Sequence, residues 1–230
     1  GLHAAGFPTD GVMLDVQWFG GVTEGSDNSN MGLLQFAPSF LNNRDVRDVL
    51  GQLDALGLGA IPIEESYVAK NNNYSQIMQD KCYFARNDAN SCSAVYFSKQ
   101  QGDNCWWGNG YYIDWTNEQG GAFWHDQKRQ PLAELGVVGT WTDLGEPEMF
   151  RASAVYNGFD INGQRKNREA DVHNSYNLMW HKTIWDGYWR NKTPRRNFQV
   201  SRSGTSGLQR FGASMWSGDI GSNFNSLGAH

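Results

Sequence analysis

Short apolar runs, each delivering aromatic and acidic residues to a turn and separated by stretches of helical spacing, constrain this chain more than anything else in it. The clearest is residues 136–140, which lead into Trp141-Thr142-Asp143-Leu144-Gly145-Glu146-Pro147-Glu148, an aromatic and three carboxylates gathered after one strand. Residues 211–219 repeat the arrangement: small and apolar residues run into Trp216 and then a solitary acid, Asp219. A strand ending in such a cluster reads as the rim of an active site. Two such rims suggest an enzyme that uses two carboxylates.

The intervening residues supply the rest of the pattern. Residues 12–18 read as a buried first strand that ends in polar and aromatic residues. Asn43 can cap a helix through Leu56, with Val46, Val49, Leu50, Leu53 and Leu56 on one face and Gly57 at its exit. Residues 60–63 form a second short strand running into Glu64 and Glu65. Residues 119–135 are helical and closed by Gly136; residues 137–141 are a strand that ends at Asp143. Asp171 can cap a helix carrying Val172, Tyr176, Met179, Trp180 and Ile184, and residues 198–202 and 213–216 are the last strands. Helix then strand, with polar residues after each strand, implies a parallel α/β fold, and right-handed crossovers put the strand ends on one face.

Residues 70–114 are polar and too long for an ordinary connection, so they read as an insertion or a functional loop. A closed (β/α)8 TIM barrel takes about 250 residues, and about five strands are legible here. The choice is between an open doubly wound sheet and an incomplete barrel. No glycine-rich phosphate loop follows the first strand, which favours the barrel.

Composition narrows the function. The 230 residues are 39% hydrophobic, enough for one large core, and carry a net charge of −5 with no basic run, so there is no footprint for a phosphate backbone. No window approaches about eighteen consecutive apolar residues, so no membrane partner is expected. The first residues lack the pattern of a signal peptide. Ten Trp, nine Tyr and twelve Phe beside 27 Gly suit either a core or the flat apolar faces of sugar rings. Cys82, Cys92 and Cys105 lack zinc-type spacing, and no metal or cofactor is implied. Cys82 and Cys92 can bridge in an oxidising compartment. Asn73-Tyr74-Ser75 and Asn191-Lys192-Thr193 fit the glycosylation pattern, which recurs by chance. The compartment stays open, with the outside of the cell or the periplasm favoured.

Cleaving a glycosidic bond needs one carboxyl to protonate the leaving oxygen and one to attack or support the anomeric carbon. Asp143 and Asp219 are the candidates. Asp143 lies among other acids and needs a compensating donor, which Arg202 can supply. Asp219, in an apolar and glycine setting, can serve as general acid and then base. Asp15 is either a ligand for sugar hydroxyls or a buried partner of Arg202. Either catalytic candidate can equally be a helix cap. His173 and His181 read as structural or surface residues.

The segment from Trp141 to Glu148 resembles the nucleophile motif of glycoside hydrolase family 31, in the form seen in its bacterial α-transglucosylase branch. Leu14-Asp15-Val16-Gln17-Trp18-Phe19-Gly20 is similar to an early strand motif of that branch, and His173-Asn174-Ser175-Tyr176 to its helix motif. Arg202-Ser203-Gly204, Gly207 to Gly212, and Trp216-Ser217-Gly218-Asp219 resemble the segments at its acid/base. The resemblance implies a TIM-barrel catalytic domain over residues 1–230, with Asp143 as nucleophile and Asp219 as acid/base. Asp15, Glu65, Trp141, Arg202 and Trp216 would bind the transferred ring. It also implies double displacement with retention, no cofactor, an α-glucoside or oligosaccharide substrate, and flanking β-domains outside this sequence. Residues 70–114 and 150–168 depart from the family pattern, and barrel units without neighbours are expected to expose strand edges and fold poorly alone.

The leading expectation is therefore a retaining α-glycosidase. Its alternatives are an α-glucan oligosaccharide transglucosylase using the same residues and a non-catalytic carbohydrate-binding protein. An open-sheet oxidoreductase would need a GxGxxG after the first strand, which is absent.

Overall fold

A computed structural model describes residues 5–229. Strand β1, Gly11–Leu14, is shorter than expected. Asp15 ends it by accepting the Val16 N–H at 2.6 Å, which starts a 3-10 turn, Val16–Phe19, that buries Trp18 and Phe19 and closes at Gly20 in the left-handed region. Helix α1, Val46–Ala55, is capped by Asp45, whose side chain accepts the Arg47 N–H at 2.7 Å. Asn43, the expected cap, instead sits at φ 58 outside the helix.

Strand β2 is Gly59–Glu65. The inserted region follows, with β3, Tyr67–Ala69, α2, Ser75–Asp80, and β4, Gly110–Tyr112, of which β3 and β4 pair antiparallel. Its polar average conceals a core: Met78, Phe84, Val95, Phe97, Trp107, Tyr112 and Ile113 are all buried. Trp107 stacks on Tyr67 with centroids 4.7 Å apart, and Cys82 is bonded to Cys92.

The single helix expected over 119–135 is divided: α3, Glu118–Trp124, runs into a π-helical turn, His125–Arg129, and then α4, Gln130–Leu135. Gly136 closes it at φ 105, as expected. Strand β5 is Gly139–Asp143. The second insert is an antiparallel hairpin of β6, Val155–Ile161, and β7, Gln164–Arg168. After it come α5, Glu169–Val172, and the long α6, Tyr176–Arg190. Asp171 lies inside the first turn of α5, where its carboxylate accepts the Arg168 N–H at 3.1 Å, so it assists the cap position and does not occupy it. Strand β8 is Phe198–Ser201, β9 is Ala213–Met215 and α7 is Phe224–Ala229.

One five-stranded parallel sheet organises the chain, in the order β1-β2-β5-β8-β9. The order follows the sequence without reversal. A doubly wound sheet reverses at its switch point, whereas barrel strands succeed one another in chain order, so this is barrel-type topology. Parallel register puts the C-terminal ends of all five strands on one side. Alternation along each strand then sorts the side chains. On β5, Thr142 faces the helices, bonding His181 of α6 at 3.0 Å, so Trp141 and Asp143 face the opposite, inner side. On β2, Glu64 faces the helices and Glu65 the inside.

The helix-facing layer holds a buried ion pair. Glu64 and Arg129 are each 2% exposed. Arg129 donates to both Glu64 oxygens, at 2.8 and 2.6 Å, and the indole N–H groups of Trp124 and Trp180 donate to Oε1 at 2.9 and 3.3 Å. Both oxygens of the carboxylate have donors, three on Oε1 and one on Oε2, which is what burying such a charge requires.

Candidate active site

Asp143 is the last residue of β5, half-buried, and its Oδ1 accepts the Leu144 N–H at 2.9 Å. Leu144 adopts φ 56, a left-handed turn that takes the chain out of the strand and carries it on to Glu146 and Glu148. Arg202, just beyond β8, places Nε 3.4 Å from Asp143 Oδ1. Its firmer partner is Glu146, to which Nε and Nη2 donate at 3.0 and 2.8 Å. The guanidinium is thus a clamp between two acids of the β5 turn. Burial raises the Asp143 carboxyl above its ordinary value, Arg202 and the Leu144 N–H oppose the rise, and the charges of Glu146 and Asp219 add to it.

Trp141 and Trp216 meet edge to face, 5.7 Å between centroids, so β5 and the segment after β9 share an aromatic wall. Gly218, at φ +80, lies against the Arg202 side-chain stem, where a Cβ would come within 3.1 Å of Cδ. Asp219 follows, exposed to solvent and near enough for its charge to act on Asp143. The apolar setting expected for Asp219 is not what surrounds it: it is exposed, four residues beyond the end of β9. Asp15, likewise, is no buried partner of Arg202: it is exposed at the end of β1 and spends an oxygen on the Val16 N–H.

Glu65 closes the inner side of the site. It stands opposite Asp143 in the β2–β5 register and is buried. Desolvation, then the charge of Asp143, then those of Glu148 and Asp15, push its carboxyl well above the ordinary range, and Arg202 opposes them.

Three features were missed in sequence. In the sequence Glu146 is only an acid near Asp143; the structure makes it the main partner of Arg202. Asn177 of α6 donates to the Ser201 hydroxyl at 3.0 Å and to the Ser203 carbonyl, while its carboxamide oxygen occupies the space a Cβ at residue 145 would need. This explains Gly145: the turn after β5 and the turn after β8 are wedged together over one helical side chain. A lone Asn among apolar helix positions was the signal. Trp106, from the first insert, donates its indole N–H to Glu148 at 3.0 Å, which brings the insert to the rim. Of the two histidines, His181 is buried and structural, and His173 is half-buried, in edge contact with Phe150.

The sequence model of the glycosyl hydrolases family 31 TIM-barrel domain matches residues 1–230. Among curated relatives, α-glucosidase 2 of Bacillus thermoamyloliquefaciens is 27% identical over 79% of this chain and 22% of its own length. The neutral α-glucosidase AB of Mus musculus is 35% identical over 50% of this chain and 12% of its own length. The chain thus spans about a fifth of the length of such relatives. Among solved structures, the Flavobacterium johnsoniae family 31 dextranase complexed with glucose superposes with a TM-score of 0.77 at 20% identity, over 98% of this chain and 26% of its own. The cycloalternan-forming enzyme of Listeria monocytogenes in complex with a pentasaccharide substrate does so with a TM-score of 0.69 at 21% identity, over 99% of this chain and 21% of its own. With the family model matching this chain from residue 1 to residue 230 and a barrel-type sheet carrying acids at its strand ends, the chain belongs to glycosyl hydrolase family 31.

Proposed function

We propose that this chain carries the catalytic centre of a retaining α-glycosidase acting on α-glucosides. The observation that carries the reading is Asp143 at a barrel strand end, 3.4 Å from the Arg202 guanidinium and within electrostatic reach of Asp219. In the first step an Asp143 oxygen forms a bond to the anomeric carbon as the bond to the leaving oxygen breaks, and Asp219 gives that oxygen its proton. In the second step Asp219 takes a proton from the incoming water, whose oxygen bonds the anomeric carbon and displaces Asp143. Two inversions give net retention, which calls for carboxyl groups about 5–5.5 Å apart. Trp141 and Trp216 offer flat faces to the ring, and Asp15 and Arg202 offer polar groups to its hydroxyls. No step calls for a metal or cofactor.

Transfer to a second sugar in place of water is the other reading, favoured by the likeness to a cycloalternan-forming enzyme. Incubating the full-length protein with maltooligosaccharides or isomaltotriose separates the two: longer products mean transfer, glucose alone means hydrolysis. Asp143→Ala is expected to abolish both, with proton NMR of the wild-type reaction showing α product first. Normal turnover by Asp143→Ala would overturn the assignment. Binding without turnover, unchanged in Asp219→Ala, would instead indicate a carbohydrate-binding protein.

A further inference from the structure

The innermost carboxyl of the site is neither of the two given chemical roles. Glu65 is 2% exposed and faces Asp143 across adjacent parallel strands, an arrangement that puts two side chains on one face about 5 Å apart. Its Oε2 is buried with no hydrogen-bond partner. The groups facing it are Asp143 and Glu148 from β5 and the turn behind it, Asp15 from the end of β1, the cation Arg202 from beyond β8, and the buried phenol of Tyr67 on β3, which burial holds in its neutral form. Arg202 is already engaged by Glu146. An ionised Glu65 would be a buried charge without a cation of its own, which is strongly disfavoured. Protonated, it offers an O–H where acceptors are in excess.

We propose that Glu65 is a positioning residue that works as a neutral carboxylic acid and shares its proton with the Asp143 carboxylate beside it. The inference rests on Asp143 being the nucleophile. Hydrogen bonding to an ionised group favours that form, so the donor opposes the desolvation acting on Asp143 and keeps the attacking oxygen charged to lower pH. It does this without adding a second negative charge beside the nucleophile. The two carboxyls then titrate as one coupled system.

The test measures kcat, kcat/KM and melting temperature against pH for the full-length enzyme, its Glu65→Gln and Glu65→Leu variants, and Asp143→Ala as control. Gln keeps a neutral donor; Leu keeps the volume without one. Glu65→Gln should keep the acid limb of its pH profile in place and lose clearly less kcat than Glu65→Leu. Glu65→Leu should lose at least about tenfold in kcat and move the acid limb upward by roughly half a unit to one unit. Its melting temperature should not fall, because an apolar group of similar size replaces a buried carboxyl whose Oε2 has no hydrogen-bond partner. A purely structural Glu65 would do the reverse, lowering the melting temperature of the Leu variant and leaving the limb where it is.

A folded Glu65→Gln enzyme as crippled as the Leu variant would show that the ionised form is needed and would overturn the proposal, as would a Leu variant with wild-type kcat and acid limb. Should the Leu variant fail to fold, the Gln variant decides alone: activity with an unmoved limb supports the role, inactivity overturns it. Turnover surviving in Asp143→Ala would bring down the nucleophile assignment itself, whereas an inactive Asp143→Ala beside an unaffected Leu variant removes only the role of Glu65.

Discussion

Replacing Arg202 with Met should move the acid limb of the pH–rate profile to higher pH. The guanidinium Nε lies 3.4 Å from Asp143 Oδ1. Two full charges at that distance interact by about 1 kcal/mol in bulk water and about 5 kcal/mol at an effective dielectric of 20. The side chains are 21% and 18% exposed, and Glu146 holds the same guanidinium at 2.8 Å. Screening and sharing place the loss in the lower half of that range, about 1–3 kcal/mol, or about one to two pH units.

The direction follows from what acts on Asp143. Burial already raises its carboxyl and Arg202 is the largest opposing influence. Without the cation the rise grows, a smaller fraction of Asp143 is ionised at any acidic pH, and activity disappears at a higher pH than in wild type. Removing Arg202 also uncovers Glu146, whose charge pushes Asp143 the same way. The double variant Arg202→Met/Glu146→Gln should therefore recover part of the shift. The assay is kcat/KM on an α-glucoside in overlapping buffers from acid to neutral pH, at fixed ionic strength. An acid limb unmoved in Arg202→Met, or moved further in the double variant, would refute the reasoning.

Two further outcomes follow from the helix-facing layer. Arg129→Met strands the Glu64 carboxylate in the core and should destabilise the fold by about 3–5 kcal/mol, lowering the melting temperature by about 6–20 °C; adding Glu64→Leu should recover most of it, and a single variant costing under about 1 kcal/mol would contradict the account. Burial lowers His181 to about 4, so the unfolded chain takes up the proton first. The stability its neutral form supplies is intact above the unfolded value, about 6.5, and is lost as pH falls. In urea unfolding at pH 7, 6 and 5, His181→Gln should show a shallower decline than wild type, by up to about 1.4 kcal/mol per pH unit; identical slopes would exclude the mechanism.

Much of the scaffold was legible because short apolar runs and left-handed glycines leave plain marks. Gly136 marked a helix end, and β5, β8 and β9 lie within a residue or two of where their apolar runs placed them. The misplacements were local contests between caps. Asp45 outcompeted Asn43 two residues away, and Asp15 cut β1 short because its short side chain, with only Cβ and Cγ between backbone and oxygen, can satisfy the next N–H. Residues 70–114 looked like loop because the aromatics that form their core are scattered among Asn, Ser and Asp without a period. At the site, the acids were visible as types at strand ends, but who pairs with whom was not. The Arg202–Glu146 clamp and the Asn177 wedge join residues far apart in the chain, and only the register of the sheet brings them together.

The Asn177 wedge divides the molecule by how freely it can change. With the β5 and β8 turns seated on a single carboxamide behind the sheet, neither can lengthen or tilt without dislodging the other, so the two cannot drift apart over evolutionary time. Residues 70–114 touch the β5 turn instead through the Trp106 indole, which donates to Glu148. Sequence change is expected to be tolerated best in the inserts, whereas the helix surface behind the sheet, which meets both turns through Asn177, keeps them in register.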